Sequence, residues 1–242
     1  MIYRFRLYKG IFLLFLLFSF SRLLSQNKTA IRFQNLTISD GLSQSSVSSI
    51  TQDKYGFIWI GTQDGLNRYD GQSFKTFYKN QADSNSLLSN TINCLSYDPV
   101  NDYLWIGTNK GLCFYDYNNR TFNHIYCKAE NISHLLIDNK GIIWFNSSLD
   151  GLFKKSNDSI IKVLDGKFIE MDYYDDSTLL VSSLDAGYKV NLFDSKITNI
   201  EEFKGVVDII SDKNSKFLIY KNTLIEYTNN QIIDLTSKFP EL

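Results

Sequence analysis

The chain has 242 residues, 43% of them hydrophobic and 15% aromatic, which is enough apolar material for a large folded core rather than a disordered tail. Lys and Arg total 25 against 26 Asp and Glu, and the formal charge of -1 supplies no field that would draw in nucleic acid or an anionic membrane surface. Two prolines, thirteen glycines, 15 Tyr and 18 Phe suit many short strands joined by polar turns, so the expected class is all-β.

At the start of the chain Arg4, Arg6 and Lys9 precede an apolar run over residues 11–20, followed by the more polar residues 21–25. This is the layout of a secretory signal peptide, read as residues 1–25 with cleavage after Ser25 and export to the periplasm or beyond. Ten residues of helix reach only about 15 Å, roughly half the apolar thickness of a bilayer. An uncleaved anchor extended to Leu24 would have to take in Arg22. Residues 26–46 follow, with a strand expected over 31–38 of the kind that completes the last blade of a ring.

A repeat then runs through the chain. VSSITQDKYGFIWIGTQDGLNRYDGQSFKTF begins at Val47 and INCLSYDPVNDYLWIGTNKGLCFYDYNNRTFNHI at Ile92, and a weaker copy, ISHLLIDNKGIIWFNSSLDGLFKKSNDSIIKV, begins at Ile132. Trp59, Trp105 and Trp144 are one position in three units, with Gly61, Thr62 and Gly65 matched by Gly107, Thr108 and Gly111. Two later units keep the order of short apolar runs without the Trp and the Gly-Thr. Four strands in about forty residues is the period of a β-propeller blade, whereas ankyrin and leucine-rich periods are shorter and helical repeats would show a 3.6-residue spacing. Five blades are expected, at approximately 47–78, 91–126, 131–164, 167–203 and 205–237. At about 41 residues each, a seven-bladed ring would need roughly 290, so the expectation is an incomplete seven-bladed propeller.

The copies from Val47 to Phe145 resemble the two-component regulator propeller repeat, D-x-x-G-x-[IL]-W-[IV]-G-T-x-x-G-[LI]-x-x-[YF]-[DN]. Asp53, Gly56, Trp59, Gly61, Thr62, Gly65, Leu66, Tyr69 and Asp70 match in the first copy; Asp98, Trp105, Gly107, Thr108, Gly111, Leu112, Tyr115 and Asp116 match in the second. The opening is similar to the N-terminal periplasmic sensor part of Bacteroidetes hybrid two-component histidine kinases. The resemblance implies an inner-membrane parent protein in which propellers are followed by a β-sandwich, a membrane span and a kinase. It also implies oligosaccharide sensing. Those later parts are missing from this sequence, which shows no ATP-binding segment. Partners implied are therefore a glycan or other small ligand, further sensor and kinase domains, and a homodimer partner.

No catalytic constellation stands out. His124 and His134 are the two histidines, and no H-E-x-x-H, G-x-S-x-G, P-loop or CxxC is present, so no metal, cofactor or catalytic residue is assigned. Cys94, Cys113 and Cys127 read as small buried hydrophobes, with one bridge open in an oxidising compartment. Asp53, Asp98 and Asp138 recur at one turn, where an Asx hydrogen bond to the backbone explains them. The candidate ligand-binding residues lie instead on the face carrying the long connection 79–90 and the hairpins between second and third strands: Asp64, Tyr78, Asn109, Lys110, Tyr126, Asp150 and Asp185. Flat aromatic faces beside amides and carboxylates suit a sugar. A secreted propeller glycosidase or lyase is the alternative to a sensor, because two suitably separated carboxylates would suffice for it. A WD-repeat scaffold is disfavoured by the missing Trp-Asp and Gly-His signatures.

Overall fold

The computed structural model describes residues 33–157, 159–211, 216–220, 223–228 and 231–238, so the signal-peptide segment lies outside the described residues. The chain divides into Met1–Asn35 and Leu36–Leu242, and all regular structure among the described residues lies in the second unit. There, twenty strands form five four-stranded antiparallel sheets, each in simple sequential order. Blade 1 is β1 (Val47–Gln52), β2 (Ile58–Thr62), β3 (Gly65–Tyr69) and β4 (Phe74–Phe77); blade 2 is β5 (Ile92–Asp98), β6 (Tyr103–Thr108), β7 (Gly111–Asp116) and β8 (Thr121–His124). Blade 3 is β9 (Ile132–Ile137), β10 (Ile143–Ser147), β11 (Gly151–Ser156) and β12 (Ser159–Leu164). Blade 4 is β13 (Glu170–Asp175), β14 (Thr178–Ser182), β15 (Gly187–Asn191) and β16 (Ile197–Asn199), and blade 5 is β17 (Asp208–Ser211), β18 (Lys216–Tyr220), β19 (Thr223–Thr228) and β20 (Gln231–Asp234). The first strands β1, β5, β9, β13 and β17 pack successively against one another, as the inner strands of a propeller do.

One expectation is corrected. Residues 33–37 form no strand, and Ile38–Asp40 is a 3-10 turn. The cause is local: Thr37 and Asp40 close a reciprocal capping box, with Thr37 N–H donating to Asp40 Oδ2 at 2.8 Å and Ser39 N–H to Thr37 Oγ1 at 3.2 Å. Gly41, at φ 106°, then turns the chain so that Leu42 is buried and Ser43 N–H donates to Asn67 Oδ1 at 2.9 Å.

The recurring turn aspartates organise blades 1 to 3. Asp53 Oδ1 accepts from Tyr55 N–H at 2.9 Å and Phe57 N–H at 3.0 Å, and Asp138 Oδ1 does the same for Lys140 at 2.9 Å and Ile142 at 3.0 Å. The second carboxylate oxygen reaches the motif tryptophan: Trp59 Nε1–H donates to Asp53 Oδ2 at 2.8 Å and Trp144 Nε1–H to Asp138 Oδ2 at 3.0 Å. In blade 2 the turn is one residue longer. Asp98 Oδ2 is taken by Asn101 Nδ2 at 2.7 Å, and Trp105 Nε1 is buried without a hydrogen-bond partner.

Each blade buries its faces only against its neighbours. Trp59, Leu66 and Phe77 of blade 1 pack on Ile92, Leu95, Leu104, Ile106 and Phe122 of blade 2, and three further clusters repeat the pattern down the stack. Close approach needs a missing side chain: a Cβ on Gly107 would stand 2.4 Å from Cys94 Sγ and 2.9 Å from Ile132 Cγ2 of blade 3. The leading face of blade 1 differs from the joints. Val47 and Ile50 are 49% and 65% exposed, whereas their counterparts Ile92 and Leu95 are 0% and 8% exposed.

Asp53 also accepts from the Tyr117 hydroxyl of blade 2 at 2.6 Å, so one carboxylate serves a turn, an indole and a joint. Asp53→Ala is expected to cost about 2–4 kcal/mol by leaving buried donors unsatisfied. Asp70→Ala, which strips only an exposed turn, should cost much less. Urea unfolding compares the two, and equal losses would refute the assignment.

Candidate functional site

The loops at one end of the strands gather the candidate residues. Hairpins between the second and third strands hold two residues in blades 1 and 2, three in blade 3 and four in blade 4. In the short ones a hydroxyl closes the loop: Thr62 Oγ1 donates to the Gly65 carbonyl at 2.9 Å and Thr108 Oγ1 to the Gly111 carbonyl at 2.8 Å. Gly65 itself sits at φ 113°, where a side chain would be strained.

A cleft of about 500 Å³ opens between blades 2 and 3, lined by Tyr126, Cys127, Lys128, Asp150, Phe153, Ile160 and Lys162. Tyr126, Cys127 and Lys128 come from the connection after β8, Asp150 from the β10–β11 hairpin, Phe153 from β11, and Ile160 and Lys162 from β12. The Tyr126 ring is 98% exposed and offers an uncovered aromatic face. Asp150 is held in place by Ser147 Oγ–H at 2.8 Å and by Glu130 N–H at 3.2 Å, both donating to its Oδ2. Phe153 stacks on Phe145 at 5.3 Å and gives the floor a rigid apolar base, while Lys162 pairs with Asp165 at 2.8 Å on the rim. The cleft thus offers an aromatic platform, an oriented acceptor and cationic donors in one place.

The structure brings Tyr126 and Asp150 together there and leaves the other candidates apart. Asp64 Oδ1 accepts from Asn90 Nδ2 at 3.0 Å, and Asn109 Oδ1 accepts from Ser89 Oγ at 2.6 Å, so both tie down the C-terminal end of the 79–90 connection. Tyr78 lies against Gly65, within 2.9 Å of where a Cβ would stand. Lys110 and Asp185 are exposed hairpin residues outside the cleft. Reading along the chain missed Lys128, which lies in the connection after β8, and Phe153, Ile160 and Lys162, which strand alternation marks as ordinary blade positions until that connection is set beside them.

At the opposite ends of the strands Asp102 gathers Lys54 Nζ at 3.0 Å and the hydroxyls of Tyr55 and Tyr97, each at 2.7 Å. Burial works to raise its pKa, but the bonds from Tyr55, Tyr97 and Lys54 outweigh it and hold the carboxyl below its ordinary value. With both oxygens engaged, Asp102 staples blade 1 to blade 2. Asp175 likewise serves its own turn, accepting Ser177 N–H at 2.8 Å. Among the described residues no group of three His, Cys, Asp or Glu side chains is placed to hold a metal ion.

These features define a β-propeller of four-stranded blades with a ligand-sized cleft at a blade joint. Residues 41–64 and 86–110 match the family described as Two component regulator propeller. Over 74 residues the chain is 50% identical to Histidine kinase P4 of Formosa agariphila, a stretch that covers 30% of this chain and 5% of that relative. An extracellular domain assigned to the hybrid two component system BT3049 of B. thetaiotaomicron superposes with a TM-score of 0.71 at 24% identity, covering 83% of this chain and 31% of that one. Virginiamycin B lyase from Staphylococcus aureus superposes at 0.62 with 12% identity, covering 78% of this chain and 69% of the lyase. At these identities the solved structures show the shared fold, and the chain spans a small part of the kinase relative and under a third of the extracellular domain.

The three cysteines are free thiols. Burial pushes Cys94 and Cys113 up to about 12, and it raises the half-buried Cys127 as well. A water-soluble disulfide reagent at about pH 8 should therefore modify Cys127 first in the native protein, and Cys127→Ser should abolish that fast phase. Equal reaction of all three thiols would contradict the burial of Cys113 and the raised thiol of the partly buried Cys94.

Proposed function

We propose that this chain is the ligand-sensing, extracytoplasmic propeller of a two-component signal transduction regulator, and that the cleft beside Tyr126 receives the ligand. The observation that carries the reading is the match of two successive blades to the two-component regulator propeller repeat. The likeness to an extracellular domain of a hybrid two component system supports it, as does the signal-like start of the sequence. Among the described residues no helix is long and apolar enough to cross a membrane. The kinase in this reading belongs to sequence outside the chain, in keeping with the 5% of Histidine kinase P4 that it spans, and signal transfer involves that domain and a second copy.

An oligosaccharide is the ligand class that the cleft suits best. Tyr126 supplies a stacking face, Asp150 accepts hydroxyl hydrogens, and Lys128 and Lys162 donate. Titration calorimetry against a panel of polysaccharide fragments tests this. One fragment should bind, Tyr126→Ala or Asp150→Asn should weaken it about tenfold (about 1.4 kcal/mol), and Asp70→Asn should not. No binding by any fragment, or binding indifferent to Tyr126, would overturn the glycan assignment. Turnover of a fragment, lost on replacing one carboxylate, would favour the glycan-acting enzyme instead.

The exposed Val47 and Ile50 support a ring of more than five blades, since the same two positions are covered at the internal joints. Another blade of the repeat fits that face. The five blades alone should self-associate in size-exclusion chromatography and Ile50→Lys should reduce this; a cooperatively melting monomer would show that five suffice.

A further inference from the structure

The joint between blades 3 and 4 departs from the two before it. Where blades 1 and 2 have Gly61 and Gly107, blade 3 has Asn146, which is fully buried. Where β5 places Cys94 opposite that glycine, β9 places His134 opposite Asn146. The pair has changed together, from a thiol over a bare backbone to an imidazole over an amide.

Hydrogen-bond geometry places one proton of that imidazole. Asn146 Oδ1 accepts from the His134 backbone N–H at 2.9 Å and from Ser133 Oγ at 2.7 Å, and His134 Nδ1 lies 3.2 Å from the same atom. A backbone N–H only donates, so the shared atom is the amide oxygen and Nδ1 must carry a proton to bond it. On the other side of the ring, Nε2 stands 3.3 Å from Glu170 Oε2 on β13. A proton on Nε2 would complete an ion pair with that carboxyl group. Doubly protonated, His134 is an imidazolium bridging two blades, partly shielded, with 26% of its side chain exposed against 12% for Glu170.

The groups that face it from the packed elements agree with this state. Asn146 on β10 is neutral, Glu170 on β13 and the more distant Asp208 on β17 are acidic, and Cys94 on β5 is an uncharged thiol pushed up to about 12. Burial alone would lower the pKa of His134, but the hydrogen bond and charge of Glu170, the bond from Asn146 and the charge of Asp208 together raise it above the ordinary value.

We propose that His134 is a proton-dependent latch between blades 3 and 4, closed when the ring is doubly protonated and loosened when it loses the Nε2 proton to alkaline solution. The direction follows from linkage: a histidine with a raised folded-state pKa contributes stability that is complete below its unfolded value of about 6.5 and is lost as pH rises through the folded value. At the same strand position Ser49 and Cys94 provide no such group, which confines the response to this joint.

NMR titration of the ring protons of the folded chain tests the proposal, with His124→Gln used to assign the two histidines. His134 should titrate above about 6.5, and Glu170→Gln should move its midpoint down by a unit or more. Thermal melting should show a loss of stability as pH rises above about 6.5 that shrinks in Glu170→Gln and in His134→Gln. A midpoint at or below the ordinary value, or one that ignores Glu170→Gln, would overturn the latch. The titration of the unaltered chain decides the matter even if His134→Gln does not fold.

Discussion

A blade of this protein is a thin antiparallel meander with apolar residues on both faces, and neither face is shielded until another blade lies against it. That constraint explains why the indoles of Trp59 and Trp144 are fully buried although each sits on a sheet only four strands wide. It also explains the aspartate before each. An indole N–H taken into an apolar joint needs an acceptor, and Asp53 and Asp138 supply one from the same turn that starts the strand. Turn, strand and joint are thus one cooperative unit. Blade 2, with its longer turn, keeps the packing but loses the acceptor for Trp105.

Because the joints carry the stability, the loops at the strand ends are released for other work, though unequally. In blades 1 and 2 the hairpins are short and their polar side chains are engaged with the 79–90 connection through Asn90 and Ser89. In blade 3 the hairpin is longer, and the connection that reaches it leaves Tyr126 uncovered. The cleft forms where the repeat has begun to relax and before it decays.

Much of this was legible in the sequence for a definite reason. A motif that recurs in register places residues in space once the repeat is recognised, so the blades, the turn role of Asp53, Asp98 and Asp138, and the placing of Tyr126 and Asp150 at loops on one end all follow from spacing. What was not legible depends on the distance between blades. Phe153 and Lys162 look like strand residues until the connection after β8 is set beside them, and His134 meets Glu170 across 36 positions of sequence. The segment before the first blade shows the opposite failure. Its alternation of apolar and polar residues reads as a strand, but Thr37 and Asp40 at capping-box spacing, followed by Gly41, make the local turn the better solution.

The position after the motif Trp-Ile records how the joints change along the stack. Gly61 and Gly107 admit the next inner strand by lacking a side chain, and the contact that results is apolar. Asn146 fills the gap and brings a histidine and a glutamate with it. In blade 4 the same position is Ser182, whose hydroxyl donates to the Val206 carbonyl of the next blade, and the tryptophan has become Leu180. Apolar contact between blades is insensitive to pH, whereas hydrogen-bonded and charged contact depends on protonation and weakens steeply once a partner is lost. The cleft at Tyr126 lies one joint before the contact between His134 and Glu170.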